Sequence, residues 1–173
     1  FFGTIHKFYI SEIILSFGKQ IFGLSENEID IIDINKESLS SDELEYIEYI
    51  EKNFNSSDST HTDYINSLFN QGKIYINLIE VYAIYIFDNS TACRNYLKSK
   101  YKFVIIDEFQ DCGKEQFEVF IKLKNLGLTA IAVGDLDQSI YEFTGKSSEF
   151  LSALIDNSDF TIFSLSRNHR CHP

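Results

Sequence analysis

An apolar run that ends in carboxylates constrains this chain more than any other stretch. The residues at 103–106 read Phe-Val-Ile-Ile, and those at 107–111 read Asp-Glu-Phe-Gln-Asp. An unbroken apolar run of this length is typical of a strand buried on both faces of a parallel sheet. Ligands of open α/β sheets bind at the carboxyl ends of such strands, because the loops converge there. The stretch therefore predicts an α/β fold with a polar site after this strand.

Two further apolar runs also end in polar clusters. Residues 129–133 (Thr-Ala-Ile-Ala-Val) and residues 161–165 (Thr-Ile-Phe-Ser-Leu) are the second and third predicted strands. We expect the three strands to bring four polar side chains to one edge of a sheet: Asp107, Glu108, Gln138 and Arg170. A metal ligand, a water-activating carboxylate, an amide near the terminal phosphate and an arginine are the groups that phosphoryl transfer requires.

The order of these motifs resembles that of UvrD/Rep-type superfamily 1 DNA helicases. Asp-Glu-Phe-Gln-Asp at 107–111, Gly-Asp-Leu-Asp-Gln-Ser-Ile-Tyr-Glu-Phe at 134–143 and the residues at 165–170 are similar to motifs II, III and IV. Thr-Ile-His-Lys-Phe at 4–8 resembles the family's Thr-x-His-x-Phe segment. The resemblance covers about the first twenty residues and the chain from Tyr101 onward. It implies a partial RecA-like parallel sheet of the P-loop NTPase type, flanked by helices and carrying a helical insertion.

The same resemblance implies ATP and Mg²⁺ as cofactors. Asp107 would ligate Mg²⁺, Glu108 would activate water, and Gln110 would help to arrange the nucleotide site. Gln138 would sense the γ-phosphate, and Arg170 would stabilise the transition state.

The resemblance also implies a single-stranded DNA surface formed by Thr4, His6, Tyr141 and Phe143. Thr4 could instead be a helix N-cap with His6 in the first turn. The two aromatic residues could instead be core residues. The chain departs from the family at Thr144, where an arginine is usual, so the link between nucleotide and DNA could be altered.

Negative charge is concentrated in one part of the chain. The formal net charge is -11, and residues 26–63 hold twelve acidic residues against two lysines. Such a block predicts a solvated insertion that repels nucleic acid and could bind a protein. We therefore divide the chain into a partial motor domain, residues 1–20 and 100–173, and an acidic, mainly helical insertion, residues 21–99.

Several helices follow from local signals. An N-terminal helix is predicted to end at Gly18, and Ser40 with Glu43 forms a capping box. Residues 74–87 are predicted to form a core helix, although their β-branched content leaves a strand open. Residues 114–126 predict an amphipathic helix, which makes a parallel pair of the strands on either side. Residues 19–99 otherwise predict helices joined by Ser/Asn-rich turns, without a reliable alternation that would indicate a strand.

What the sequence lacks is also informative. No Gly-x-x-x-x-Gly-Lys-Ser/Thr phosphate-binding loop occurs, and the three cysteines have no metal or disulfide spacing. No targeting or membrane segment is evident, so we expect a soluble, cytoplasmic protein without a membrane partner. Since the family has its phosphate loop upstream and later motifs downstream, we expect the middle of a longer helicase. The remaining motor domain of that protein would be its partner, and this part alone would be inactive.

Two other functions remain open. The chain could be a non-catalytic, helicase-like module whose acidic insertion binds a protein. It could also be a nuclease that binds two metal ions through four carboxylates and cuts without ATP: Asp107, Glu108, Asp111 and Asp135.

Overall fold

The computed structural model describes residues 1–23, 27–136 and 149–165, which form a mixed α/β structure. Its helices are α1 (Ile5–Phe8), α2 (Leu15–Phe22), α3 (Ser41–Asn53), α4 (Ser59–Asn70), α5 (Ile79–Asn89), α6 (Thr91–Lys100), α7 (Lys114–Asn125) and α8 (Glu149–Ile155). Its strands are β1 (Asp30–Ile32), β2 (Lys73–Tyr75), β3 (Phe103–Ile106) and β4 (Thr129–Ala132). A π-helical segment, Tyr9–Ile14, joins α1 to α2.

Strands β3 and β4 form the parallel pair that the sequence predicts. Their register runs from Phe103 opposite Thr129 to Ile106 opposite Ala132. Helix α7 connects them, since a parallel pair needs a crossover rather than a tight turn. The strand–helix–strand unit predicted around the acidic motif is therefore confirmed, and it carries the motif at the carboxyl end of β3.

This small sheet is buried on only one face, so the prediction of a fully buried strand is wrong within the described residues. Val104 and Ile106 pack against a hydrophobic cluster that includes Phe120 of α7. On the opposite face, Phe103 is 58% exposed and Ile105 is 62% exposed. The reason is that α7 packs against one face, whereas Phe103 and Ile105 on the other face join no hydrophobic cluster of the described residues.

The third predicted strand, residues 161–165, is not formed. This segment has no regular secondary structure, and Phe163 and Leu165 are 85% and 94% exposed. A strand requires a neighbour for its backbone N–H and C=O groups, and the described sheet around β3 contains only β3 and β4. An apolar run does not by itself provide that partner.

The N-terminal helical region is longer than predicted, and Gly18 does not end it. Gly18 lies buried inside α2, where a Cβ added to its backbone would be 2.6 Å from Cε2 of Phe69. Gly23 ends the helix instead, with a φ of 92° that glycine tolerates best. The glycine at position 18 thus serves close helix packing rather than capping.

The region between α2 and α6 contains a second parallel pair that the sequence did not predict. Strands β1 and β2 pair from Asp30 opposite Lys73 to Ile32 opposite Tyr75. At three residues each, they are too short for an alternating pattern to show. Residues 74–87 accordingly divide between the end of β2, a 3₁₀ turn and α5. The Ser40–Glu43 capping box at the start of α3 is confirmed.

Two hydrophobic clusters hold the described residues together. The larger one joins the π-helical segment, α5 and the inner face of α7, with Ile13, Tyr82 and Val119 among its members. The smaller one, around Phe109 and Phe120, lies beneath β3 and β4. No described helix has the length and apolar content needed to cross a bilayer. The boundaries proposed between motor domain and insertion stay a prediction.

Candidate functional site

The acidic pair lies where the sequence places it, immediately after β3. Asp107 and Glu108 are both exposed, and Oδ1 of Asp107 accepts a hydrogen bond of 3.0 Å from the Glu108 backbone N–H. Glu108 adopts a left-handed backbone conformation, with φ 53° and ψ 44°. That conformation costs a non-glycine residue about 1 to 2 kcal/mol, and such strain is concentrated at functional sites. The left-handed conformation of Glu108 turns the chain immediately after β3, and both carboxylates are exposed there.

Gln110 connects the loop after β3 to the loop after β4. Its Nε2 donates a 2.6 Å hydrogen bond to Oε2 of Glu108, and its Oε1 accepts a 3.0 Å hydrogen bond from the backbone N–H of Asp135. Its side chain is only 3% exposed. The described contacts of Gln110 therefore hold the Glu108 carboxylate, and the part of Gln110 in arranging the nucleotide site stays a prediction.

The fit of Gln110 requires a glycine at position 134. A Cβ on Gly134 would lie 2.7 Å from Oε1 of Gln110 and 2.9 Å from Cδ2 of Leu151. The sequence did not predict that Gln110 bridges the two loops or that position 134 must be a glycine. The available signal was a glutamine next to the acidic pair together with a glycine at the end of the neighbouring strand.

Backbone bonds extend the β3–β4 pairing into the site. The N–H of Val133 donates to the carbonyl of Ile106 at 2.9 Å, and the N–H of Phe109 donates to the carbonyl of Val133 at 2.8 Å. The Phe109 ring is fully buried, with its centroid 4.9 Å from that of Phe120. The loop that carries Glu108 and Gln110 is thus fixed at both ends.

A cavity of about 540 Å³ lies between the N-terminal segment and β3. Thr4 lines it together with Asp107, Glu108 and Asp111. One predicted DNA-contacting residue and the predicted nucleotide-binding carboxylates therefore share a cavity, although they are about a hundred residues apart in sequence.

Thr4 and His6 occupy the first turn of the N-terminal helical region. Thr4 is the N-cap of α1, and its Oγ1 accepts a 3.3 Å hydrogen bond from the Lys7 N–H, so the capping alternative is confirmed for this residue. The His6 side chain is 48% exposed, and its Nε2 lies 3.5 Å from Oε1 of Glu80 on α5. Their contact with DNA stays a prediction.

The polar surroundings at the start of α7 are negatively charged. Burial raises the pKa of Glu115, and the nearby Glu80 carboxylate raises it further. Burial also raises the pKa of Tyr9 well above its ordinary value, and the same carboxylates add to this shift. The ionised forms of Glu115 and Tyr9 are therefore disfavoured in these surroundings.

Four predicted site residues lie outside the described residues. They are Gln138, Tyr141, Phe143 and Arg170, and the unusual Thr144 lies there as well. Their convergence on Asp107 and Glu108 stays a prediction.

The exposed Asp107 carboxylate suits a magnesium ion. Mg²⁺ in phosphoryl-transfer sites is usually held by one or two carboxylates together with phosphate oxygens and water, and the exposed Asp107 fits that requirement. Among residues 1–23, 27–136 and 149–165, no group of three or more His, Cys, Asp or Glu side chains could hold a metal ion. Those ranges include Asp111 and Asp135, and the nuclease alternative stays an untested prediction.

Comparison with known proteins identifies the family of the chain. The family model described as UvrD/REP helicase N-terminal domain matches residues 12–159. The chain is 41% identical over 91 residues to Gabija protein GajB of Bacillus cereus (strain VD045), covering 51% of this chain and 18% of that protein. It is 28% identical over 88 residues to ATP-dependent DNA helicase Rep of Buchnera aphidicola subsp. Schizaphis graminum, covering 50% of this chain and 13% of Rep.

A third relative is the RecBCD enzyme subunit RecB of Borreliella burgdorferi. It is 38% identical over 63 residues, which cover 36% of this chain and 5% of RecB. The chain thus spans less than a fifth of the length of these curated relatives. Because the family model covers most of the sequence, including the loop that carries the acidic pair, the chain belongs to the UvrD/REP helicase N-terminal domain family.

Proposed function

We propose that the chain is part of a longer ATP-dependent DNA helicase, which couples ATP hydrolysis to translocation on single-stranded DNA and to duplex unwinding. The observation that carries this proposal is the acidic pair at the carboxyl end of β3, tied through Gln110 to the loop after β4. Family membership and the relatives' much greater length support it. The rest of the motor would come from the remainder of the same polypeptide.

Within this proposal each carboxylate has its own task. Asp107 would hold Mg²⁺, which neutralises charge on the phosphates of ATP when bound. Glu108 would accept a proton from the attacking water, and Gln110 would fix its carboxylate for that purpose. Gln138 would sense the γ-phosphate and Arg170 would stabilise charge in the transition state, as the family resemblance implies.

DNA would bind on the side of the cavity lined by the N-terminal segment. We assign backbone contacts to Thr4 and His6, and base stacking to Tyr141 and Phe143. The exposed acids of α3 would stay away from DNA because phosphate and carboxylate repel each other. That acidic surface is instead a candidate for binding a protein.

The decisive experiment changes the proposed base in the parent protein. Glu108→Gln should lower DNA-stimulated ATP turnover about 10²- to 10⁴-fold, because it removes the proton acceptor. ATP binding, measured with a fluorescent analogue, should persist. Glu45→Gln removes an equally exposed carboxylate from α3 and should leave turnover unchanged.

Turnover retained in Glu108→Gln would remove Glu108 from its role. A second measurement uses the 173-residue chain itself, whose sequence contains no phosphate-binding loop. We expect no ATP hydrolysis from it, with or without single-stranded DNA. Robust DNA-stimulated hydrolysis by the purified chain would contradict that expectation.

A further inference from the structure

The Glu80 carboxylate on α5 contacts polar side chains of α1 and α7. Oε1 of Glu80 on α5 lies 3.5 Å from Nε2 of His6 on α1, which is within ion-pair distance. The same oxygen accepts a 3.2 Å hydrogen bond from Nε2 of Gln116 on α7. Neither Glu80 nor Gln116 belongs to a motif that the proposed reaction uses.

Glu80 is the more firmly held partner of this pair. Its side chain is 21% exposed, whereas the His6 side chain is 48% exposed. Its neighbours in sequence, Ile79 and Val81, are buried in the larger hydrophobic cluster and fix α5 in place. Helix α1 continues without a break into the π-helical segment, so its backbone holds His6 beside α5 and the Glu80 contact orients the imidazole.

The chemistry of the pair suits a nucleic-acid phosphate. Oε1 of Glu80, 3.5 Å from Nε2 of His6, can fix the direction of the ring. A protonated ring nitrogen donates a hydrogen bond, and a phosphodiester only accepts hydrogen bonds. Thr4 and Gln116 both line the cavity between the N-terminal segment and β3. The His6–Glu80 pair therefore lies next to the surface assigned to DNA.

We propose that Glu80 is a positioning residue for nucleic-acid binding: it holds the His6 imidazole toward the phosphate backbone, and Gln116 holds Glu80. This inference rests on the proposed function, because it requires that His6 contacts DNA. It also gives α5, which lies within the predicted insertion, an indirect part in DNA binding. The acidic insertion would thus support the DNA contact without touching DNA.

The test is a double-mutant cycle on the 173-residue chain with a fluorescently labelled oligothymidine. Binding is followed by anisotropy over a series of salt concentrations. His6→Ala should weaken binding about fivefold and reduce the salt slope by about 0.7, as expected for one lost phosphate contact on a single strand. Glu80→Gln should cause a similar loss, because Gln has nearly the same size but no charge. In the His6→Ala background, Glu80→Gln should have no further effect.

Two controls separate positioning from general damage. Glu118→Gln removes a neighbouring carboxylate that pairs with Lys122 at 3.3 Å rather than with His6, and it should leave affinity unchanged. Glu80→Asp keeps the charge, but its side chain is one methylene shorter and the carboxylate lies farther from His6. This variant should therefore give an intermediate affinity, and it tests the proposal even if Glu80→Gln folds poorly. Thermal unfolding of each variant checks its stability.

Different results would overturn different claims. If His6→Ala binds as tightly as the wild type, or if the wild type does not bind, the DNA contact and the role of Glu80 are both wrong. If His6→Ala binds weakly but Glu80→Gln binds normally, only the positioning role is wrong. An equal loss from Glu80→Gln with and without His6 would show that Glu80 acts by another route, which also overturns the inference.

Discussion

At the scale of single residues, Glu108 combines a strained backbone with the chemistry proposed for the site. Its φ of 53° is the only positive value among the described non-glycine residues. Local preference alone would disfavour glutamate there, since its Cβ crowds the following carbonyl oxygen. The bonds that hold the loop, above all the one from Gln110, maintain this conformation.

This strain predicts a difference between two substitutions that both remove the carboxylate. Glu108→Gly should be more stable than Glu108→Ala by about 1 kcal/mol, because glycine adopts the left-handed region without a Cβ penalty. Urea unfolding of the two variants measures the difference. Equal stabilities would mean that the backbone at position 108 is not strained, or that it relaxes when the side chain is removed.

Glu12 provides a prediction about pH. It is 9% exposed on the π-helical segment and accepts hydrogen bonds from Nζ of Lys100 at 2.7 Å and from the Tyr96 hydroxyl at 2.9 Å. Burial raises the pKa of Glu12, but these bonds together outweigh burial and leave the pKa below its ordinary value of 4.5. The ionised side chain therefore stabilises the fold above pH 4.5, and this contribution is lost as pH falls through the lowered pKa.

Glu12→Gln should accordingly lower the free energy of unfolding by about 1 to 2 kcal/mol near neutral pH, since Lys100 is partly exposed and water screens the pair. The deficit relative to the wild type should shrink as the pH falls below 4.5 and through the lowered pKa. Urea unfolding at several pH values measures it, with the exposed Glu45→Gln as control. A deficit independent of pH would show that ionisation of Glu12 does not stabilise the fold.

At the scale of elements, helix α2 depends on a close approach to α4. The space beside Gly18 is filled by the Phe69 ring, which is 1% exposed and packs 4.9 Å from the Phe22 ring. Displacing the Phe69 ring would therefore cost packing energy. From the sequence alone, Gly18 is predicted to end a helix, because glycine is unfavourable inside a helix and common just after its last residue. Packing from a distant part of the chain reversed that interpretation.

Gly18→Ala should destabilise the protein by about 1 to 3 kcal/mol, although alanine has the higher helix propensity. The neighbouring Lys19→Ala, at an exposed position of the same helix, should change stability by less than about 0.5 kcal/mol. Thermal and urea unfolding measure both. In a double-mutant cycle, Phe69→Leu should recover part of the Gly18→Ala loss, whereas simple additivity would contradict a steric contact between the two residues.

At the scale of the whole molecule, the larger hydrophobic cluster unites parts of the chain that differ in composition. It joins the π-helical segment, α5 and α7, so the N-terminal segment is held close to β3. In the smaller cluster, Phe109 and Phe120 pack against the inner face of β3, next to the loop that carries the acidic pair. Together they place Thr4 and the acidic pair around one cavity, which is the arrangement the proposed coupling of DNA and nucleotide requires.

The sequence by itself determined the features that depend on neighbouring residues. These are the α/β class, the β3–α7–β4 unit, the capping box at Ser40 and the acidic pair at a strand end. Each follows from an apolar pattern, a cap or a strand terminus, and all of these act over a few residues.

Only the tertiary structure decided the features that depend on distant contacts. Among the described residues, it exposed one face of β3, left residues 161–165 without a partner strand, paired β1 with β2, and buried Gly18 against Phe69. It also made Gln110 a bridge to Asp135 and placed Glu80 beside His6. The physical reason is that burial, strand pairing and hydrogen bonding between separate segments depend on which surfaces meet, and no local pattern encodes that.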